Sequence, residues 1–256
     1  MKKVYEYIGL SALIVFSFYF TNQVRIYIQN KNPLVKEIIA KSDNYNIEAI
    51  DAVIKDNTII PGLNGREINV TKSFNKMKEF GLFNDTFLVY KIKKPRISLR
   101  NNLDKIIIRG NSNKKQVSLL FEYSDLIINY LVTNEINANV IVHSITDTRK
   151  ELENINNVIN KTEYKKTDNY LRKNKLENNL CLSDNSHNCS GKMIIRPTHI
   201  LTNVNYAEIK NSISNGSIIV VKKSVDISIV KALINQLNFN DIDVVFLSKL
   251  ISENND

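Results

Sequence analysis

Residues 117–144 read VSLLFEYSDLIINYLVTNEINANVIVHS, and their rhythm decides the fold class. VSLLFEY is a nearly unbroken apolar run that ends in a carboxylate beside a tyrosine, the pattern of a strand buried on both faces. Ser124 stands as an N-cap before the helical periodicity of the next dozen residues. NANVIVHS is a second apolar strand. Strand, helix and strand in succession predict a parallel pair joined by a helical crossover.

The alternation continues to the C-terminus. TDTRKELENINNVINK reads as a second helix, GKMIIRPTHIL holds a third strand, and YAEIKNSISN reads as a helix. GSIIVVKK is a fourth strand, DISIVKALINQLNFN a helix, and IDVVFLSKLISE a last strand with a terminal helix. The expected fold class is therefore α/β, a parallel sheet covered on both faces, either open or closed as a barrel. Residues 46–114 have a different character. IEAIDAVIKDNTIIPGLNGREINV mixes β-branched runs with two turn signals, Pro61-Gly62 and Asn64-Gly65. TKSFNKMKEFG follows as a helix, with Thr71 as its N-cap and Gly81 as its C-cap, and FLVYKI as a strand.

The N-terminus begins with Lys2 and Lys3, and residues 7–20 carry no charge. A membrane span needs about 20 apolar residues, with a lower limit near 17. Counting from Val4 reaches that limit. The alternatives are a cleaved signal peptide and an uncleaved signal-anchor; no Ala-x-Ala pattern follows Phe20, which favours the anchor. The two lysines then stay in the cytoplasm and the remainder crosses. Residues 23–45 read as a helical stalk divided at Pro33, a residue tolerated in the first turn of a new helix. The domain boundaries expected are 1–22 for the anchor, 23–45 for the stalk, 46–114 for a small β-rich accessory region and 115–256 for the main domain.

The formal net charge of +9 invites a nucleic-acid reading, but the lysines are scattered, with no Arg-rich helix and no basic–aromatic interleaving. We therefore expect no nucleic acid as partner. An anionic membrane or cell-wall polymer suits the charge. The 37 asparagines among 256 residues point to a biased coding composition, which weakens composition as evidence of function.

Beyond the pattern, the sequence resembles the polysaccharide deacetylases with a NodB-like homology domain. The resemblance is carried by GSIIVVKKSVDISIVKALINQLNFNDIDVVFLSKLISE at the C-terminus and by VSLLFEYSDLIINYLVTNEINANVIVHS. IIPGLNGREINVTKSFNKMKEFG also looks like the small extracytoplasmic region that precedes this domain in membrane-anchored relatives from low-GC Gram-positive bacteria. The resemblance implies a distorted (β/α) barrel, here truncated, because only one helix fits between Pro197 and Gly216. Working members hold a divalent metal with one Asp and two His, use a second Asp as base, and use a late-strand His as acid.

Carried over residue by residue, the resemblance implies losses. Glu122 falls at the base position and Tyr123 at the metal-binding Asp. A neutral phenol is a poor ligand for a hard divalent ion. Lys222 falls at the late-strand His, and an ammonium with an unperturbed pKa of about 10.4 titrates far from neutrality. His143 and Asp147 imitate a ligand pair, but they follow the second strand, whereas the stretch at the family's ligand position is NKTEYKKTDNY, with no His. His187 lies in an Asn-rich loop, and His199 follows Arg196-Pro197. Cys181 and Cys189 are the only cysteines; outside the membrane they would form a disulfide, with free thiols or a metal site as alternatives.

These readings point to a membrane-anchored, single-pass, extracytoplasmic deacetylase-family protein without catalysis, binding cell-wall glycan or an envelope protein and needing no cofactor. The alternative is an active deacetylase of N-acetylated cell-wall glycan, with Glu122 as base and a zinc-like metal on His143 and Asp147.

Overall fold

The computed structural model describes residues 2–142, 155–160, 169, 173, 179–183, 189 and 191–255. The chain divides into two compact units, Met1–Glu48 with Gly65–Lys93, and Ala49–Asn64 with Lys94–Asp256.

The first unit holds helix α1 (Lys2–Asn30), helix α2 (Pro33–Lys41), helix α3 (Val70–Met77) and an antiparallel pair, β3 (Gly65–Ile68) with β4 (Tyr90–Lys93). Pro33 is the first residue of α2, and the Asn32 side chain accepts from the Leu34 N–H at 2.9 Å. In α3 the cap is Asn69, whose Oδ1 accepts from the Lys72 N–H at 3.0 Å, and not Thr71, which lies within the helix. Leu34, Ile38, Ile68, Met77 and Leu88 form this unit's core. The expected span over 4–21 lies within α1. Among the described residues, however, no helix is long and apolar enough to cross a membrane. Leu10, Leu13, Val15, Phe16, Phe18, Tyr19 and Phe20 of this helix are nevertheless exposed.

The second unit is built on one large sheet. Its strands are β1 (Val53–Lys55), β2 (Thr58–Ile60), β5 (Ile106–Ile107), β6 (Gln116–Glu122), β7 (Ala138–Val142), β8 (Ile155–Asn160), β9 (Leu180–Leu182), β10 (Met193–Ile195), β11 (His199–Leu201), β12 (Ile218–Val221) and β13 (Asp243–Val244). The order is β1-β2-β5-β10-β9-β8-β7-β6-β12-β11, with β13 paired to β6. All pairings are parallel except β1–β2, a tight hairpin whose turn residue Asp56 takes φ 52°. Among the described residues no pairing joins β1 to β11.

Period-two alternation sends the strand side chains to two cores. Val117, Leu119 and Phe121 of β6 join Ile219 and Val221 of β12 against helices α4 (Asp125–Thr133), α5 (Tyr206–Ser212) and α6 (Ile227–Phe239). On the opposite face, Ile59, Ile107, Leu120, Ile141, Val158, Leu180, Ile195 and Val220 meet in one cluster. Helix α7 (Leu247–Ile251) closes that cluster with Leu247, Leu250 and Ile251. Phe121 is fully buried, as are Leu119 and Leu120, and each such side chain contributes about 1.5–3 kcal/mol relative to exposure.

Several expectations are corrected here. Residues 155–160 are strand β8 and not the end of a helix, because they pair with β7 from Ala138↔Ile155 to Val142↔Ile159. GKMIIRPTHIL holds two strands, β10 and β11, parted at Pro197. The interval from Pro197 to Gly216 contains strand β11 and one helix. Strand β9 has only three residues and no periodicity to betray it. The 46–114 region is not one domain. β1, β2 and β5 extend the main sheet, whereas β3, α3 and β4 belong to the first unit.

Candidate functional site

Glu122 is the last residue of β6, where five buried residues give way to a partly exposed end. The parallel register sets Val221 beside Phe121, so Lys222 follows beside Glu122. By parity with Leu120 and Val220, both side chains belong to the inner face of the sheet, at the C-terminal ends of the strands. The Lys222 Nζ donates to Glu122 Oε1 at 2.6 Å, and the Lys223 N–H donates to Glu122 Oε2 at 3.1 Å. Each carboxylate oxygen thus has its own donor. The Glu122 side chain is 15% exposed and that of Lys222 41%. Tyr123 donates its phenolic O–H to Asp125 Oδ1, in the first turn of α4, where a carboxylate complements the helix dipole.

This arrangement has definite chemical limits. A general base takes a proton from its substrate, and at Glu122 that proton would compete with the Lys222 ammonium on one oxygen and the Lys223 N–H on the other. Nor does the donor set suit a divalent cation: an ammonium stands 2.6 Å from the carboxylate, and the next side chain along, Tyr123, is a phenol. Among the described residues no group of three or more His, Cys, Asp or Glu gathers as a metal site. His143, Asp147 and His187 lie outside the described residues, as does nearly all of NKTEYKKTDNY.

The other expected positions fall elsewhere. His199 opens β11, paired with Ile219, whereas Lys222 follows the end of β12, so the imidazole is not brought to Glu122. Burial holds its pKa below the ordinary histidine value, and the Arg109 charge adds to the effect. Cys181 of β9 and Cys189 are both buried and joined by a disulfide. The sequence reading missed the Lys223 N–H and Asp125, because neither follows from residue type. The signal for the Glu122–Lys222 contact lies in the register of two apolar strands, 100 residues apart along the chain.

No protein-family model matches the sequence. A stretch of 95 residues is 36% identical to YlxY, an uncharacterized protein of Bacillus subtilis, and covers 36% of this chain and 29% of that protein. The chain thus spans well under half the length of the curated relative it matches. The structure is similar to that of BA3943 from Bacillus anthracis, described as a CE4 family pseudoenzyme, with TM-score 0.63 and 17% identity over 87% of this chain and 96% of that one. A BA3943 mutant described as a CE4 family pseudoenzyme with restored enzymatic activity aligns with TM-score 0.60 and 17% identity, over 87% of this chain and 99% of that one. At this identity the likeness is one of architecture, and it matches the resemblance in the strand sequences: the chain has the α/β fold of the CE4, NodB-like polysaccharide deacetylases.

Proposed function

We propose that this protein is a polysaccharide deacetylase-family member that has lost metal-dependent hydrolysis and acts by binding cell-wall glycan or an envelope protein. The observation that carries the reading is the 2.6 Å contact between Lys222 and Glu122. It sets a cation against Glu122, the carboxylate to which the resemblance gives the base position, where a working member of the family needs a metal ion. Tyr123, turned to Asp125, adds a phenol where a carboxylate ligand is required. The description of BA3943 as a pseudoenzyme supports the reading by analogy of fold, because a fold outlasts the chemistry once placed on it.

The proposal includes attachment to the cell membrane through α1, with the main unit outside the cell. Leu13, Val15, Phe16, Phe18 and Tyr19 are all more than half exposed, and lipid would cover them. The test uses the purified full chain with zinc, cobalt or nickel and N-acetylglucosamine oligomers, with released acetate measured and binding to insoluble peptidoglycan followed in parallel. We expect no metal-dependent acetate and retention on the glycan or on an envelope partner. Metal-dependent acetate release that Glu122→Gln abolishes would overturn the reading.

A further inference from the structure

The C-terminal ends of the strands carry Glu122 and Lys222, but an apolar concavity lies at the other end. A cavity of about 430 Å³ opens where β9 and β10 begin, at Leu180 and Met193. Its walls are Leu99, Leu103, Leu180, Met193 and Ile251. Leu99, Leu180 and Ile251 are core residues, whereas Leu103 is half exposed at the rim. The volume falls within the ~300–1,000 Å³ range of small-ligand sites, and mostly apolar walls with few polar groups are the usual composition of such sites. An adjoining concavity shares Leu103, Asn179 and Met193 and adds Asp104 and Lys192 to its lining.

Two charged side chains line the cavity, and their circumstances differ. Glu253 Oε1 accepts the Leu99 N–H at 2.7 Å and the Gly62 N–H at 3.2 Å, so its charge is answered by the backbone. Close by, the Lys114 ammonium donates to the Ser252 carbonyl at 2.6 Å. Arg100 also lines the cavity, and among the described residues no carboxylate pairs with it. The lining charge without a carboxylate partner among the described residues is thus a guanidinium, whose planar fork matches a carboxylate in two-point contact. We propose that this cavity binds a single-chain aliphatic carboxylate, with the chain along Leu99, Leu103, Leu180 and Met193 and the head group on Arg100. The site is independent of the Glu122–Lys222 region and of the glycan reading above.

The chain contains no tryptophan, which makes a sharp test available. Leu103→Trp places a sole reporter at the rim, and Ser248→Trp places a second one on the α7 wall. Phe239→Trp, at a position 88% exposed at the end of α6, serves as the control for non-specific partition into apolar surface. The probe is undecanoic acid carrying a terminal bromine, a contact quencher of indole fluorescence. We expect saturable quenching in Leu103→Trp or Ser248→Trp and none that saturates in Phe239→Trp. Adding Arg100→Gln to the reporter background should raise the midpoint at least tenfold, and the brominated alcohol of the same length should bind at least tenfold more weakly than the acid. Circular dichroism confirms that each variant is folded. Absence of saturable quenching at both reporters, or equal quenching at all three positions, would overturn the site. Equal binding of acid and alcohol, or an unchanged midpoint with Arg100→Gln, would overturn the carboxylate assignment.

Discussion

Removing the partners of the Glu122–Lys222 pair one at a time and together measures what the contact contributes. A hydrogen bond to a charged group contributes about 1.5–3 kcal/mol net, whereas a fully exposed ion pair contributes about 0–1 kcal/mol. Here the carboxylate is 15% exposed and the ammonium 41%, so solvent screens one partner far more than the other. We therefore place the coupling at about 1–2 kcal/mol, between those limits. Lys222→Met takes the ammonium away from a mostly buried carboxylate and should be the costlier single change, at about 2 kcal/mol. Glu122→Gln leaves an ammonium that can turn to water and should cost about 1 kcal/mol. The double variant should cost less than the sum by the coupling, since each single change strands its partner. The assay is urea unfolding of the full chain, followed by circular dichroism, at low salt and at about 1 M salt, where the coupling should shrink. Additivity within about 0.3 kcal/mol at low salt would refute the view that the pair cross-links β6 to β12.

Asn139 is fully buried. Its Nδ2 donates to Ser118 Oγ at 2.9 Å and to the Leu119 carbonyl at 3.0 Å, and its Oδ1 accepts the Leu247 N–H at 3.2 Å. Asn139→Ala strands those groups and should cost about 2–4 kcal/mol in urea unfolding; a loss under about 1 kcal/mol would show that water replaces the network. Gly216 takes φ +84°, and a Cβ there would lie 2.4 Å from the Gly110 carbonyl oxygen. Gly216→Ala should therefore lower the melting temperature sharply or prevent folding, while Gly9→Ala, which meets nothing within 4 Å, should not. The Ile97 N–H, opposed by desolvation and joined by the Arg96 N–H and charge, holds the Asp51 carboxyl below its ordinary value of 3.8. Because the folded value is the lower one, the stability Asp51 contributes is complete above the ordinary value and lost as pH falls through the folded value. Asp51→Asn should flatten the stability profile below about pH 4, and identical acid limbs for the two proteins would contradict the assignment.

Much of the second unit was legible in the sequence, for a physical reason. Strands buried on both faces are written as apolar runs, and β6, β7 and β12 are such runs, each beside a helix whose apolar face repeats every three to four residues. Strands β5 and β9 have two and three residues, too few for a period, and their place in the sheet comes from partners far along the chain. INNVIN illustrates a second limit. Its three apolar residues suit a helix face about as well as a strand, and its pairing with β7 decides the matter. At the site, the residue types at 122, 123 and 222 could be read, and so could the unsuitability of a phenol and an ammonium. That the ammonium would lie on the carboxylate could not, because it depends on strand register. The cavity beside Arg100 left no mark at all, since its walls are leucines and a methionine like those of any core.

The way the chain threads its two units has a consequence for how the molecule is made. Residues 49–64 belong to the sheet of the second unit, residues 65–93 return to the first, and the chain then re-enters the second for good. The β2–β5 pairing, Thr58↔Ile106, therefore closes a loop that contains β3, α3 and β4. On a ribosome, β1 and β2 emerge long before β5 and β10 exist to cover their edge, and they must wait as an exposed hairpin. Closing that loop costs entropy before the inner cluster repays it, so formation of the sheet should be slow relative to the helices of the first unit. A fragment beginning at residue 115 would lack β5, leave β10 as a bare parallel edge, and be prone to pair with copies of itself.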